Sequence, residues 1–224
     1  KGGMAGTCFL ELNHGSVKKC AGEVLQERQT PCYIEQEEDF IYTANYHEGT
    51  VMIYQTTEEK PVVVKRIENG EGAGCHQILL HDSYVMVPCL TQDRIRFFDK
   101  ERGFAPAGEI SFPKGSGPRH CVFNRAHTRL YVVSEWSNEL FIFKVCGREF
   151  LLEQTFSVLP QNEKTGEQPR AAAAAAIRLT KNEKFLYISV RERELLAAID
   201  VSHDKATVIQ HVSCGGKHPR DFIL

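Results

Sequence analysis

The third repeat of the chain reads GPRHCVFNRAHTRLYVVSEWSNELFIF, residues 117–143. A Gly-Pro turn leads into an apolar strand, a polar turn, a strand rich in β-branched and aromatic residues, a second polar turn and a third strand. The same order of segments begins at Pro31, Gly74 and Gln168, and a further copy opens at His218. Strand repeats of roughly 40 to 50 residues are typical of a β-propeller, in which each repeat is one blade of about four strands.

Two strands in each repeat show period-2 alternation, and one more strand precedes the next repeat. The predicted hairpins are Phe40–Asn45 with Thr50–Tyr54, Tyr84–Pro88 with Arg94–Phe98, Leu130–Ser134 with Glu139–Phe143, and Phe185–Val190 with Leu195–Ile199. The predicted outer strands are Val62–Ile67, Phe104–Phe112, Leu151–Leu159 and Thr207–Val212. We therefore predict an all-β fold, a β-propeller of four-stranded antiparallel blades, in which residues 1–224 form a single, partial propeller domain.

The ends of the chain and one internal run need separate interpretation. Ala5–Leu12 is predicted as the outer part of a blade, and Pro219–Leu224 as the first strand of another. Completing one blade from both ends would give five blades, and a missing piece would give more. Ala171–Ala176 is predicted as an inner strand with small side chains, and a short helical turn is the alternative because alanine favours helix.

Composition excludes several classes of protein. The 224 residues carry 27 Lys and Arg against 29 Asp and Glu, without a basic stripe or a polybasic run. We therefore expect neither nucleic acid nor a membrane as a partner. The beginning of the chain lacks the apolar core of a signal peptide, and a cytoplasmic location is expected. The eight cysteines are spread singly, which predicts reduced core residues and no metal site.

A resemblance covers nearly the whole chain. Gly115–His120, followed by Leu130–Glu135, resembles the lactonase family of seven-bladed β-propellers, whose members are longer by about two blades. That family includes propeller-type 6-phosphogluconolactonases and 3-carboxy-cis,cis-muconate lactonising enzymes. Three further stretches are similar to its blade motifs: Tyr42–Val51, Val87–Ile95 and Gly215–Phe222.

The resemblance implies a site in a central depression, formed on matching positions by His76, Arg119, Glu135 and Arg191. A lactone hydrolase needs a base to activate water and a donor for the oxyanion that develops on the carbonyl. Glu135 or His76 could transfer protons. Arg119 and Arg191 could hold a carboxylate or phosphate bidentately, which lysine does less well.

Further residues and structural alternatives accompany this site. Asn45 and His47 lie at the strand end equivalent to that of Glu135, so we predict that they bind substrate. Arg119 recurs as Arg170 and Arg220 in the same Pro-Arg context, which could instead connect one blade to the next. Surface turns or a structural role are the alternatives for the other three: Glu135, Arg191 and His76.

Through this resemblance we predict a hydrolase that opens a small anionic sugar lactone, with 6-phosphogluconolactone as the first choice and no cofactor. The first alternative is a 3-carboxy-cis,cis-muconate cyclase, which would need the same anion-binding arginines. The second is a non-catalytic propeller that serves as an interaction platform, because fold does not determine function. The sequence makes no prediction of the oligomeric state.

Overall fold

A computed structural model describes residues 4–57, 61–160 and 172–224. The chain consists of two compact units, residues 1–109 and 110–224. That residues 1–224 form one domain stays a prediction. Among the described residues, no helix has the length and apolar character needed to cross a membrane.

The first unit contains a hairpin and two four-stranded sheets. The hairpin strands are β1 (Ala5–Asn13) and β2 (Ser16–Glu27). Blade I consists of β3 (Tyr33–Glu37), β4 (Phe40–Asn45), β5 (Thr50–Gln55) and β6 (Val62–Glu68). Blade II consists of β7 (Leu79–His81), β8 (Tyr84–Cys89), β9 (Arg94–Asp99) and β10 (Ala105–Ser111), with short 3-10 helices at Leu90–Gln92 and Lys100–Arg102.

The second unit contains two further four-stranded sheets. Blade III consists of β11 (Pro118–Phe123), β12 (Arg129–Ser134), β13 (Glu139–Cys146) and β14 (Glu149–Ser157). Blade IV consists of β15 (Ala173–Leu179), β16 (Phe185–Arg191), β17 (Leu195–Asp200) and β18 (Thr207–Ser213). All four sheets follow chain order, as the repeats predict.

Each unit has its own apolar core, built from the middle strands of its blades. Val51, Ile53, Val85 and Val87 belong to the core of the first unit. In the second unit the core includes Val133, Leu140, Ile188 and Ala197. About half of the residues in each core are Val or Ile, whose β-branched side chains pack well on a pleated surface.

The structure confirms the alanine segment as a strand and corrects the end of the chain. Ala173–Leu179 forms β15, with its alanines packed as an inner strand, whereas Ala171 and Arg170 lie outside the described residues. Residues 214–224 form no strand, so the prediction for Pro219–Leu224 was wrong. A strand requires a hydrogen-bonded neighbour, and no described strand pairs with this segment.

The prediction that the cysteines are core residues was right for three of them and wrong for the rest. The buried ones are Cys75, Cys89 and Cys121, whereas Cys8, Cys20, Cys32 and Cys146 are exposed and Cys214 is half-buried. Cys8 and Cys20 lie on the β1–β2 hairpin, Cys32 directly precedes β3 and Cys146 ends β13. Residue type alone does not report this position in the sheet.

Candidate active site

A tight turn at Gly117 and a β-bulge after Pro118 position Arg119. Gly117 has a φ of +66°, and a Cβ atom there would lie 3.0 Å from the ring of Trp136, so the turn requires glycine. The pairing of β11 with β12 shifts between Pro118 and His120. A bulge of this kind redirects a side chain. The Arg119 side chain is only 1% exposed. Charged side chains are almost never buried to this extent unless they are paired.

Glu135 supplies the partner charge. It follows β12 directly, and its N–H donates to the carbonyl oxygen of Gly117 over 2.8 Å. Its Oε2 accepts a hydrogen bond from Nε of Arg119 at 2.9 Å. The same oxygen lies 2.6 Å from Nη2 of Arg191, which ends β16. One carboxylate oxygen therefore bridges two guanidinium groups, one from blade III and one from blade IV.

Carbonyl groups of the alanine strand hold both arginines. Nη1 of Arg119 donates to the carbonyl oxygen of Ala175 at 2.7 Å, and Nε of Arg191 donates to that of Ala173 at 3.3 Å. The side chains of Ala174, Ala175 and Ala176 are completely buried. Alanine suits this strand because a larger side chain would occupy the space in which the arginines approach the backbone carbonyl groups.

Asn138 fastens the alanine strand from blade III. Its Nδ2 donates to the carbonyl oxygen of Ala172 at 3.1 Å, and its Oδ1 accepts from the N–H of Ala174 at 2.8 Å. Asn138 has a φ of +54°, a conformation that asparagine tolerates better than most residues. The carbonyl groups that hold the arginines are thus positioned by a side chain from the neighbouring blade.

The cluster is positively charged. Two arginines and one glutamate leave a net charge of +1 among the three side chains. Burial lowers the pKa of Arg119 to about 10, Glu135 opposes this shift, and the positive charges of Arg191 and Arg220 reinforce it. Arg119 therefore stays charged at neutral pH, in a place where an additional anion would relieve repulsion between cations.

Glu135 uses one of its two carboxylate oxygens for both arginines. Oε2 lies 2.9 Å from Nε of Arg119 and 2.6 Å from Nη2 of Arg191, and Oε1 takes part in neither ion pair. The side chain of Glu135 is 18% exposed, against 1% for Arg119 and 9% for Arg191, so the carboxylate is the most accessible group of the cluster.

The remaining predicted residues lie in the first unit. The ring of Tyr46 meets the rings of His76 and His47 edge to face, with centroids 5.8 Å and 5.1 Å apart. His76 is buried, and its backbone N–H donates to the carbonyl oxygen of Pro88 at 3.0 Å. His47 is exposed. Tyr46 thus groups the two predicted histidines, and it occupies the repeat position that Glu135 holds in blade III.

The side-chain amide of Asn45 is fully hydrogen-bonded to neighbouring residues of the protein. It is completely buried, and its Nδ2 donates to the carbonyl oxygen of Gln29 at 2.6 Å and to Oε1 of Glu27 at 3.0 Å. Its Oδ1 accepts from the N–H of Glu48 at 3.1 Å. Because its amide is engaged on both sides, the geometry favours a structural role over the predicted substrate binding.

Metal-binding geometry is not found in the described part of the chain, where no three His, Cys, Asp or Glu side chains converge. Sequence reasoning missed Tyr46, Asn138 and the two alanine carbonyl groups. The repeat alignment could have indicated Tyr46, because it is the counterpart of Glu135. Backbone carbonyl groups carry no signal of residue type.

Comparison with known proteins gives a family and several relatives. The family model "Lactonase, 7-bladed beta-propeller" matches residues 10–224. The 6-phosphogluconolactonase of Bacillus subtilis is 27% identical over 214 residues, which cover 87% of this chain and 60% of that protein. The chain thus spans about three-fifths of the length of this relative.

Solved structures agree on the fold. A Lactobacillus plantarum protein has a TM-score of 0.87 at 22% identity, covering 99% of this chain and 68% of its own. The periplasmic gluconolactonase of Pseudomonas aeruginosa has a TM-score of 0.74 at 21% identity, and the match covers 85% of this chain and 59% of that protein. The prediction of a β-propeller with four-stranded antiparallel blades is confirmed.

Proposed function

Because the chain belongs to the lactonase family of seven-bladed β-propellers, we propose that this protein hydrolyses a sugar lactone, 6-phosphogluconolactone, to 6-phosphogluconate. The observation that carries the proposal is the Arg119–Glu135–Arg191 cluster, in which one carboxylate bridges two largely buried guanidinium groups and leaves a net positive charge. The name of the Bacillus subtilis relative supports the phosphorylated substrate over a carboxylated muconate.

The arginines account for binding of an anionic substrate. A phosphate or carboxylate group would balance the net positive charge that the two arginines and Glu135 leave in the cluster. Guanidinium groups bind such oxygens well because their donors match the geometry of the anion. Arg119 contributes charge and orientation from its buried position.

Glu135 is the proposed general base. Its Oε2 pairs with both arginines, so Oε1 is the atom that would accept a proton from an attacking water molecule. The water oxygen would bond to the lactone carbonyl carbon, the C–O bond of the ring would break, and the released oxygen would take up a proton. His76 keeps its predicted role as the second group for proton transfer, supported by the resemblance of its position.

A phosphorylated substrate also supports the predicted cytoplasmic location, because its charge prevents passage through a membrane without a carrier. Asn45 and His47 stay predictions as substrate-binding residues, and the contacts of Asn45 make His47 the stronger of the two.

The test is an assay of lactone hydrolysis. Freshly generated 6-phosphogluconolactone is coupled to 6-phosphogluconate dehydrogenase with the complete protein, Arg119→Ala and Glu135→Gln. Arg178→Ala is the matched control, since Arg178 is also paired with an acid, Asp221 at 2.6 Å, but is partly exposed. We expect rapid turnover that collapses in the first two variants and survives in the control. A folded wild-type protein with no rate above spontaneous hydrolysis would overturn the proposal.

A further inference from the structure

The β1–β2 hairpin brings two exposed cysteines together. The Sγ atoms of Cys8 and Cys20 lie 3.4 Å apart, and both residues are exposed. Cys8 pairs with Glu23 and Leu10 pairs with Cys20, with a register shift between them, so the two cysteines are diagonal neighbours on adjacent strands. The sulphur atoms need to approach by only about 1.4 Å to reach the disulfide bond length of about 2.0 Å.

A second pair of cysteines provides an internal comparison. Cys75 and Cys89 form an antiparallel bridge with their Sγ atoms 4.0 Å apart, and both are completely buried. A neighbouring cysteine sulphur raises the thiol pKa in both pairs, Cys20 that of Cys8 and Cys89 that of Cys75, where burial adds to the shift. The thiolate is the reactive form, and an oxidant must reach it. Exposure therefore distinguishes two thiol pairs of similar separation.

We propose that Cys8 and Cys20 form a reversible disulfide when the protein meets hydrogen peroxide. One thiolate attacks a peroxide oxygen, breaks the O–O bond and becomes a sulfenic acid, and the hydroxide released takes a proton to become water. The other thiolate attacks the sulfenic sulphur, forms the S–S bond and expels a second hydroxide, which also becomes water. Two thiols are oxidised, one peroxide is reduced, and thiol reductants reverse the bond.

The bond would act on the attachment of the hairpin to blade I. Phe9 packs edge to face on Tyr54, with ring centroids 5.9 Å apart, and the hydroxyl of Thr7 donates to that of Tyr54 at 3.3 Å. A disulfide across the hairpin restricts the unfolded chain by closing the loop of residues 9–19. Oxidation should therefore raise the temperature at which the hairpin and blade I separate.

The chain allows the bond to be identified by peptide mapping. Trypsin cleaves after Lys18, Lys19 and Arg28, so Cys8 and Cys20 fall in different peptides, and their disulfide appears as a linked pair that dithiothreitol separates. Cys75 and Cys89 share the tryptic peptide 67–94, where a bond would lower the mass by about 2 Da without linking peptides.

The experiment treats the reduced complete protein with hydrogen peroxide, alkylates the remaining thiols and maps the tryptic peptides by mass spectrometry. We expect the linked pair to form first, together with a rise in melting temperature that dithiothreitol reverses. Cys20→Ser should lose both effects. Cys146→Ser, which removes an exposed thiol at the end of β13, should keep them.

Two results would overturn the proposal. In the first, Cys8 and Cys20 stay fully alkylated, or are oxidised to sulfinic acid, without the linked pair. In the second, peptide 67–94 loses its two hydrogen atoms before the linked pair appears, which would show that exposure does not select the hairpin thiols. Linkage without the rise in melting temperature would contradict the effect on the hairpin.

Discussion

Glu48 in the first unit and Glu135 in the second are both paired with arginine, yet their surroundings differ. Oε1 of Glu48 accepts from the backbone N–H groups of Arg28 and Gln29, and Oε2 lies 3.0 Å from Nη2 of Arg66. Both oxygens are therefore engaged, and the side chain is 4% exposed. Glu135 uses Oε2 for both of its arginines and is 18% exposed.

The comparison shows that burial and an ion pair do not by themselves indicate an active site. Glu48 holds the connection between β2 and β3 in place, and its hydrogen bonds are complete. Glu135 holds two cations but has an oxygen available for other chemistry. Unused hydrogen-bonding capacity in a charged, buried cluster separates a candidate catalytic carboxylate from a structural one.

The largest expected effect comes from Glu135→Gln. The amide cannot accept a proton from water, so the rate of lactone hydrolysis should fall by about 10²- to 10⁴-fold, as is usual for loss of a general base. Glu48→Gln is the matched control and should retain most activity at low temperature. Steady-state kinetics with the coupled assay measure both variants. Equal losses of activity in two folded variants would contradict the distinction between the two carboxylates.

The second prediction concerns the stability of the same two variants. Glu48→Gln weakens the pairing with Arg66 and places an amide where a carboxylate accepted two N–H donors, so the free energy of unfolding should fall by about 2 kcal/mol. Glu135→Gln should cost at least as much, because it leaves the guanidinium groups of Arg119 and Arg191, which are 1% and 9% exposed, without a counter-charge. Urea denaturation followed by circular dichroism gives both values, and unchanged stability in either variant would contradict the role of its ion pair.

The third prediction concerns Asn138 as a positioning residue. Asn138→Ala removes two hydrogen bonds to the alanine strand, and we expect about 1 to 3 kcal/mol of destabilisation. Because Ala173 and Ala175 hold the arginines, kcat/KM should fall by about tenfold, an effect of about 1.4 kcal/mol on the transition state. A variant that is destabilised but has unchanged kcat and KM would limit Asn138 to a structural role.

The smallest expected effect is a difference in pH dependence between Glu48 and Glu27. Burial opposes the shift at Glu48, but its backbone donors and Arg66 outweigh it and lower the pKa. The stability that Glu48 contributes is therefore present above the ordinary glutamate pKa and is lost as pH falls through its lower folded value. Burial raises the pKa of Glu27, and the charge of Glu48 adds to the shift. Its contribution is present at low pH and is lost as pH rises through the folded value.

Melting temperatures between pH 3 and pH 7 test both signs. Relative to wild type, Glu48→Gln should be least destabilised at the acid end, and Glu27→Gln should improve towards neutral pH. We expect differences of ~2 °C or more, since 1 kcal/mol shifts the melting temperature of a domain of this size by about 2 to 4 °C. Parallel curves for the two variants would contradict the assigned directions.

The strands were predictable because their signal is local. Alternation in Leu195–Ile199 predicts a strand that the structure extends by one residue, to Asp200. The segment Pro219–Leu224 has similar local features but forms no strand, because a strand is stabilised by its neighbour. The unexpected exposure of Cys8 and Cys20 has the same origin, since their surroundings depend on which strands cover the hairpin.

Part of the candidate site was also predictable. Arg119, Glu135 and Arg191 were proposed from motif positions, and the structure brings these three together. Asn45 was proposed from its strand end, but its amide is directed into a structural network. The direction of a side chain at a strand end depends on bulges and turns, which a sequence pattern does not resolve.

Local pattern alone was sufficient for the all-β repeats and the residue types that can bind an anion, because side-chain periodicity and chemical character are properties of neighbouring residues. The alanine strand was predicted from its place in the repeat, since alanine by itself favours helix. Only the tertiary structure revealed that one oxygen of Glu135 bridges two arginines, that Asn138 and two alanine carbonyl groups hold the cluster, and that Cys8 lies beside Cys20. These features depend on distances between strands far apart in the chain, and such distances are set by how sheets pack and where a bulge redirects the backbone.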